Sequence, residues 1–350
     1  MSSTALPGPT GIGTSAARMP VRPASGERVR VPPLYGPGAV RDDEPLARVL
    51  DERLVAWFLE LGIFTDELDR LRHQSYGRLI MLTHPDSDDP DQLMLAARWA
   101  VALWAADDLF TDDEAAGAVP ELVPRRLVLG LAAIDQAQLL GRYAGELTEA
   151  LDGHPVLVAL RSSMEWLAGH ATPAQLNRCR HEVAGMFVSW NTQAEWRKSA
   201  RSPSVCEYLL ARHFDNFVPC MAVIDVVGGY EVPATLYADA RVRGATSLAG
   251  NAAVVANDLY SLTKDELPQQ GDVSLPVLVA AEEGCSLQEA VDISVAYHDD
   301  LVRAFEAAHR ELALVPSPEL QRYLLGLRAW IGGSDEWHRS SGRYHIDGGA

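Results

Sequence analysis

Asn257, Ser261 and Asp265 stand four residues apart in the run Asn257-Asp258-Leu259-Tyr260-Ser261-Leu262-Thr263-Lys264-Asp265. At about 3.6 residues per turn, this spacing sets an amide, a hydroxyl and a carboxylate on one face of a single helix. Three oxygen donors in a row suit a hard divalent cation. Mg²⁺ fits best, because it takes oxygen ligands and is commonly bound together with substrate phosphates. Lys264 beside them adds a positive charge fit for an anion. The residues before the triplet, from Leu248 to Ala256, are mostly apolar, so the donors end an otherwise buried helix. The plain alternative is a polar helix end that reaches solvent. Two acids compete for the third donor. Along a regular helix Asp265 lies about 80° from Asn257 and Glu266 about 180°, so the spacing predicts Asp265.

A second cluster ends another apolar stretch. The run Ala96, Ala97, Ala100, Leu103 and Trp104 leads into Asp107-Asp108-Leu109-Phe110-Thr111-Asp112-Asp113-Glu114. Carboxylates are unfavourable at a helix C-terminus, and like charges repel, so something positive must compensate them. Asp107 and Asp108 continue the stripes of Leu103 and Trp104, which predicts that at least one points into the core. Asp107, Asp108 and Asp112 are the candidate metal ligands here. The alternative is an exposed acidic turn in which Asp112 or Asp113 caps the next helix. If the two clusters face each other, they frame an apolar cavity with Mg²⁺ at its mouth. Such a mouth takes a diphosphate, and such a cavity takes a hydrocarbon tail. Arg212, 45 residues before Asn257, and Arg343-Tyr344 near the C-terminus supply cationic groups suited to phosphate.

These residues can meet only if helices carry them. Leu46, Val49, Leu50, Leu54, Trp57 and Phe58 recur at helical spacing. Further helices are predicted over 66–82, 91–108, 120–140, 154–170, 173–200, 203–228, 234–264, 274–313 and 317–338. Proline- and glycine-bearing loops such as Pro85–Pro90, Gly153-His154-Pro155 and Gly228-Gly229 separate several of them. No strand-like alternation persists, so residues 44–350 are expected to form one all-α bundle of about ten helices around an apolar cavity. Residues 1–43 are expected to be disordered and dispensable for chemistry: the first 40 hold seven prolines and six glycines. Their arginines (Arg18, Arg22, Arg28 and Arg30) make a cationic tail on an acidic body, which fits a tether better than an active-site part. The Pro32-to-Pro37 stretch could cover an active-site mouth.

Composition limits the partners. The chain has 350 residues, 47% of them hydrophobic, and a formal net charge of −18. That charge argues against nucleic acid and anionic membranes, though not against an anionic small molecule held through metal. Cys179, Cys206, Cys220 and Cys285 show no CxxC spacing and read as reduced core thiols of a cytoplasmic protein. No apolar run reaches transmembrane length, and no signal-peptide core is expected.

The pattern resembles class I terpene synthases. That family carries an Asp-Asp motif, matched by Asp107/Asp108. It also carries an (Asn/Asp)-Asp-x-x-(Ser/Thr)-x-x-x-Glu motif, matched by Asn257, Ser261 and Asp265. A diphosphate-sensing arginine about 45 residues upstream and a C-terminal Arg-Tyr pair match Arg212 and Arg343/Tyr344. Within the family the chain looks similar to bacterial 2-methylisoborneol synthases. The supporting stretches are His84-Pro85-Asp86, Leu93-Met94-Leu95-Ala96, Phe217-Val218-Pro219-Cys220, Gly228-Gly229-Tyr230-Glu231 and Trp337-His338-Arg339. Two departures stand out: Asp112 follows Asp108 at a looser spacing than Asp-Asp-x-x-Asp, and Asp265 replaces the usual Glu.

The resemblance implies a trinuclear Mg²⁺ cluster and (E)-2-methylgeranyl diphosphate as substrate. Loss of diphosphate gives an allylic cation, which cyclises and is captured by water to give 2-methylisoborneol. A sister activity loses a proton and gives 2-methylenebornane, and other terpene cyclases share the motifs. The resemblance also implies that the N-terminal segment directs the enzyme into an encapsulin shell; a homodimer is left open. Arg212, Lys264, Arg343 and Tyr344 would hold the leaving anion. Aromatic faces stabilise cations without reacting. Trp104, Phe187, Trp190, Phe214, Phe217 and Trp330 are candidates for that, with core packing as the alternative. An isoprenoid chain-elongating prenyltransferase and a non-catalytic helical cargo protein are the rival classes. Asp107→Ala and Asn257→Leu are expected to lower turnover by about two orders of magnitude or more, as loss of groups that stabilise developing charge does. Steady-state kinetics of the folded variants checks this, and near-normal turnover in either refutes the metal assignment.

Overall fold

The computed structural model describes residues 29–112, 119–262 and 273–341, apart from the side chains of residues 70, 111 and 112. Its α-helices run in order α1 (Glu44–Leu61), α2 (Leu68–Gln74), α3 (Tyr76–Thr83), α4 (Pro90–Asp107), α5 (Val123–Ile134), α6 (Arg142–Asp152), α7 (Pro155–Ala168), α8 (Pro173–Ser199), α9 (Val205–Phe214), α10 (Val218–Met221), α11 (Ile224–Val227), α12 (Ala234–Tyr237), α13 (Ala240–Ser261), α14 (Leu275–Glu283), α15 (Leu287–Leu312) and α16 (Pro318–Ser340). No strand occurs among the described residues. The all-α expectation holds. There are more segments than the ten expected because single stretches break into several, 203–228 into three, and because α6 was not foreseen.

The boundaries follow from local chemistry. Asp43, Asp89 and Ser317 each accept a first-turn backbone N–H, and Pro90 and Pro318 open their helices with no amide to lose. Thr172 with Gln175, Ser204 with Glu207 and Ser286 with Glu289 form reciprocal capping boxes on α8, α9 and α15. Gly62 ends α1 in the left-handed region, at φ 65°, where a side chain would be strained.

α13 lies at the centre, packed against α15 and α16, and α16 lies against α3. Buried tryptophans tie the layers together, because an indole N–H taken from water needs an acceptor. Trp99 on α4 donates to Pro219 O at 2.9 Å, Trp337 on α16 to Ser75 O at 3.0 Å, and Trp190 on α8 to Asp215 Oδ1 at 2.7 Å. Cys179 and Cys220 are buried free thiols, as expected, and burial pushes the Cys179 pKa up to about 12. Cys206, on α9, is exposed and Cys285, in the loop between α14 and α15, is half-buried, so neither is the fully buried core thiol the sequence implied.

Residues 1–28 lie outside the described residues, but the expectation of disorder up to residue 43 needs correction. Residues 29–43 form a strap across α15, α16 and the end of α3. Val29, Val31 and Leu34 pack on the core. Arg30 N donates to Gln288 Oε1, Tyr35 N to Asp299 Oδ1 and Tyr35 Oη to Glu306 Oε2. The Arg41 guanidinium donates to the carbonyls of Met81, His84 and Ser87. Composition misleads here because an extended segment needs no periodicity to hydrogen-bond to side chains already held by the bundle. Gly332 admits the strap: a Cβ there would sit 2.4 Å from Pro37 O. Deleting residues 1–43 is expected to lower the melting temperature relative to deleting 1–28, since burial of the three apolar side chains contributes about 1 kcal/mol each. Gly332→Val is expected to lower it as well. Thermal denaturation followed by circular dichroism reads both, and identical melting of the two truncations would show that the strap adds no stability.

Candidate active site

α13 ends at Ser261, with Leu262 as its cap, short of the residue 264 end predicted from sequence. The Ser261 hydroxyl donates back to the Asn257 carbonyl at 2.8 Å, the i−4 back-bond of a helical serine. The angular argument for Asp265 therefore reaches only as far as residue 261. Lys264, Asp265, Glu266, Arg343 and Tyr344 lie outside the described residues.

The last turn of α13 is clamped from two sides. On one side stands α16. Asn257 is 1% exposed, and its Nδ2 lies 2.9 Å from His338 Nε2. Tyr260 stacks on the His338 ring with centroids 5.7 Å apart and donates to Asp335 Oδ1 at 2.7 Å. Burial, then the Asp335 carboxylate, raises the Tyr260 pKa, so the phenol keeps its proton. On the other side stands α9. Asp258, 2% exposed, pairs with Arg212 and accepts from Tyr208 Oη at 2.8 Å and from Leu275 N at 3.2 Å. The reading of this stretch as a helix end reaching solvent fails for Asn257 and Asp258, because both are buried.

Arg212 is 3% exposed and shared between Asp258 and Asp215, the latter at 3.0 Å. Asp215 in turn accepts from Trp190 and from Gln193 Nε2 at 2.8 Å. Burial opposes the charge on Arg212, but Asp258, Tyr208 and Asp215 outweigh it and hold its pKa well above the ordinary value. Its Nε–H has no hydrogen-bond partner among the described residues. The predicted anion-binding arginine is thus a permanent cation fixed directly beside the Asn257 turn.

In the second cluster, where at least one of Asp107 and Asp108 was expected to point inward, both are buried. Asp107 is 0% and Asp108 7% exposed, so neither belongs to an exposed acidic turn. From Asp108 to Asp112 the chain forms a π-helical turn. A π turn holds one residue more than an α turn, which absorbs the extra residue between Asp108 and Asp112. The side chain of Asp112 lies outside the described residues. A cleft of about 50 Å³ lined by Phe58, Leu71, Tyr76, Trp104 and Leu109 reaches Asp108. A larger groove of about 270 Å³ runs between α8, α9 and α13, past His181 and Arg243, and holds none of the predicted ligands.

Aromatic rings join the two clusters. Trp104, one turn before Asp108, stacks on Tyr76 at 4.5 Å; both lie 6.1 Å from Trp337. Trp337 meets His338 edge-on at 5.1 Å, and Phe217 lies 6.3 Å from His338 and 5.9 Å from Trp330. His84 closes the chain edge-on to Trp330. Burial lowers its pKa to about 3, so it adds no positive charge. Of the aromatics expected from sequence, Trp104, Phe217 and Trp330 are in this cluster. Phe214 is half-exposed in the outer groove, and Phe187 and Trp190 pack together behind Arg212. Tyr76, Tyr260, Trp337 and His338 were not singled out as site residues. A signal existed: Trp330, Ser334 and His338 repeat the four-residue spacing of the Asn257 motif.

The family described as terpene synthase family 2, C-terminal metal binding, matches residues 98–304. The 2-methylisoborneol synthase of Streptomyces griseus is 36% identical over 96% of this chain and 78% of its own length. That of Saccharopolyspora erythraea is 33% identical over 95% of this chain and 93% of its own. The chain belongs to the terpene synthase family. The crystal structure of Streptomyces coelicolor 2-methylisoborneol synthase with Mg²⁺ and 2-fluoroneryl diphosphate superposes with a TM-score of 0.85, at 34% identity, covering 90% of this chain and 98% of that one.

The terpene synthase is a class I lyase, and its donor set is consistent with that chemistry. Among the described residues no cluster of three His, Cys, Asp or Glu side chains forms a metal site. The described donors are two carboxylates, an amide and a hydroxyl, all oxygen, which fits Mg²⁺ and not a thiolate- or imidazole-preferring metal. No described helix is long and apolar enough to cross a membrane. Asp258→Asn is expected to destabilise the fold by about 3 kcal/mol, because it leaves the buried Arg212 charge with half its compensation. Urea denaturation checks this; an unchanged midpoint would show that Asp215 alone suffices.

Proposed function

We propose that this terpene synthase ionises (E)-2-methylgeranyl diphosphate and cyclises the resulting cation to 2-methylisoborneol. The observation that carries the reading is the pair of buried oxygen-bearing helix ends joined by an aromatic cluster, in a chain 36% identical to a 2-methylisoborneol synthase. Asp107, Asp108, Asp112, Asn257, Ser261 and Asp265 would hold three Mg²⁺ ions, which supply Lewis-acid stabilisation of the departing diphosphate. Arg212 adds a fixed positive charge beside the Asn257 turn, and its remaining Nε–H is suited to a phosphate oxygen. Lys264, Arg343 and Tyr344 would close over the same anion.

Once the anion has left, the protein's task is to exclude nucleophiles. Trp104, Phe217, Trp330 and Trp337 offer π faces to a cation and no lone pair that would capture it early. The neutral His84 avoids charge repulsion at the same place. Water then adds to the cyclised cation, and the resulting oxonium ion gives up a proton to water to leave the neutral alcohol. The N-terminal segment would deliver the enzyme, in the cytoplasm, to an encapsulin shell, and a homodimer is part of the same reading.

Incubation with 2-methylgeranyl diphosphate, geranyl diphosphate with isopentenyl diphosphate, and Mg²⁺, followed by gas chromatography–mass spectrometry, tests the proposal. The expected product is 2-methylisoborneol. An exocyclic alkene would replace water capture by proton loss, longer diphosphates would indicate a prenyltransferase, and no turnover would indicate a non-catalytic chain. Asp265→Asn is expected to impair turnover severely and Glu266→Gln only mildly. The reverse order would move the third ligand to Glu266.

A further inference from the structure

We propose that His338 is a positioning residue that fixes which end of the Asn257 amide faces the metal. The inference rests on the metal role of Asn257 given above. The two ends of a primary amide are nearly equal in shape but opposite in function: only the oxygen can coordinate a cation. A buried Asn at a metal site therefore needs something that tells them apart.

His338 does this through its tautomer. Its Nδ1 lies 2.6 Å from the carbonyl of Ser334, one turn earlier on α16. A carbonyl oxygen only accepts, so Nδ1 carries the proton and donates. In the neutral ring Nε2 then has only a lone pair. The group 2.9 Å from it must be a donor, which makes it the Asn257 NH₂ and turns Oδ1 away from the ring. The reversed amide would set its oxygen against the Nε2 lone pair and present NH₂ to the cation, so it loses at both ends. The ring cannot readily rotate out of this arrangement: His338 is 0% exposed, stacked on Tyr260 and held edge-on by Trp337 and Phe217. Outer-shell partners that orient a ligand typically alter metal affinity by about 10–100-fold.

The test uses the full chain and reads Mg²⁺ binding in the presence of inorganic diphosphate by isothermal titration calorimetry, independent of turnover. His338→Phe keeps an aromatic ring against Tyr260 but removes the acceptor, and is expected to weaken Mg²⁺ binding by about tenfold or more. His338→Gln places an amide oxygen near the former Nε2 and is expected to recover most of the loss. The decisive arm is Asn257→Asp. A carboxylate presents oxygen whichever way it turns, so in that background His338→Phe should cost little. Equal losses in both backgrounds, or unchanged binding by His338→Phe in the parent, would overturn the proposal. Should the Phe variant fail to fold, His338→Met removes the acceptor with a more adaptable side chain and is read the same way. Absence of Mg²⁺–diphosphate binding in the parent chain would instead refute the metal reading of Asn257 itself.

Discussion

A guanidinium and two carboxylates buried between helices must be answered on every side, and that requirement fixes the geometry around the site. Arg212 holds Asp215 and Asp258 with 3% of its own surface exposed. Asp215 recruits Trp190 and Gln193 from α8, and Asp258 recruits Tyr208 from α9 and the Leu275 amide at the start of α14. Any one of these charges left alone would cost several kcal/mol, so four helices are bound to one arrangement. Asn257 is the neighbour of Asp258 and inherits that rigidity. The amide proposed to bind metal is thereby held by a network that uses none of its own donor atoms.

The same logic explains where the helices stop. The chain turns to π geometry at Asp108, breaks between Phe214 and Val218, and ends α13 at Ser261. Each irregularity falls at or beside a residue proposed for the site. A regular helix consumes its backbone groups internally, whereas an interrupted one re-aims side chains and frees polar groups for a ligand. The strap over residues 29–43 adds a further layer on α15 and α16, on the helix that presents His338 and Trp337.

Between the charged ends the interior is aromatic. The chain of rings from Trp104 through Tyr76, Trp337 and His338 to Phe217, Trp330 and His84 is continuous and buried. Within it, Trp337 donates to Ser75 O, and the His338 ring nitrogens face the Ser334 carbonyl and the Asn257 amide. Such a surface suits a hydrocarbon cation, because it offers electron-rich faces.

The sequence by itself determined the fold class, the inward turn of at least one of Asp107 and Asp108, and the helix that carries Asn257 and Ser261. It could do so because apolar periodicity and i, i+4 spacing are local properties, readable without knowing what lies across the core. Only the tertiary structure decided the rest. His338 meets Asn257 across 81 positions and Arg212 meets Asp258 across 46, and no local pattern encodes such pairings. The order of residues 29–43 was hidden for the same reason, since an extended strap gains its stability from Gln288, Asp299 and Glu306 and not from its own composition. The aromatic set was partly misread because a tryptophan in a core and a tryptophan in a pocket have the same helical spacing. Which of them faces the two acidic helix ends depends on how α3, α4 and α16 pack together.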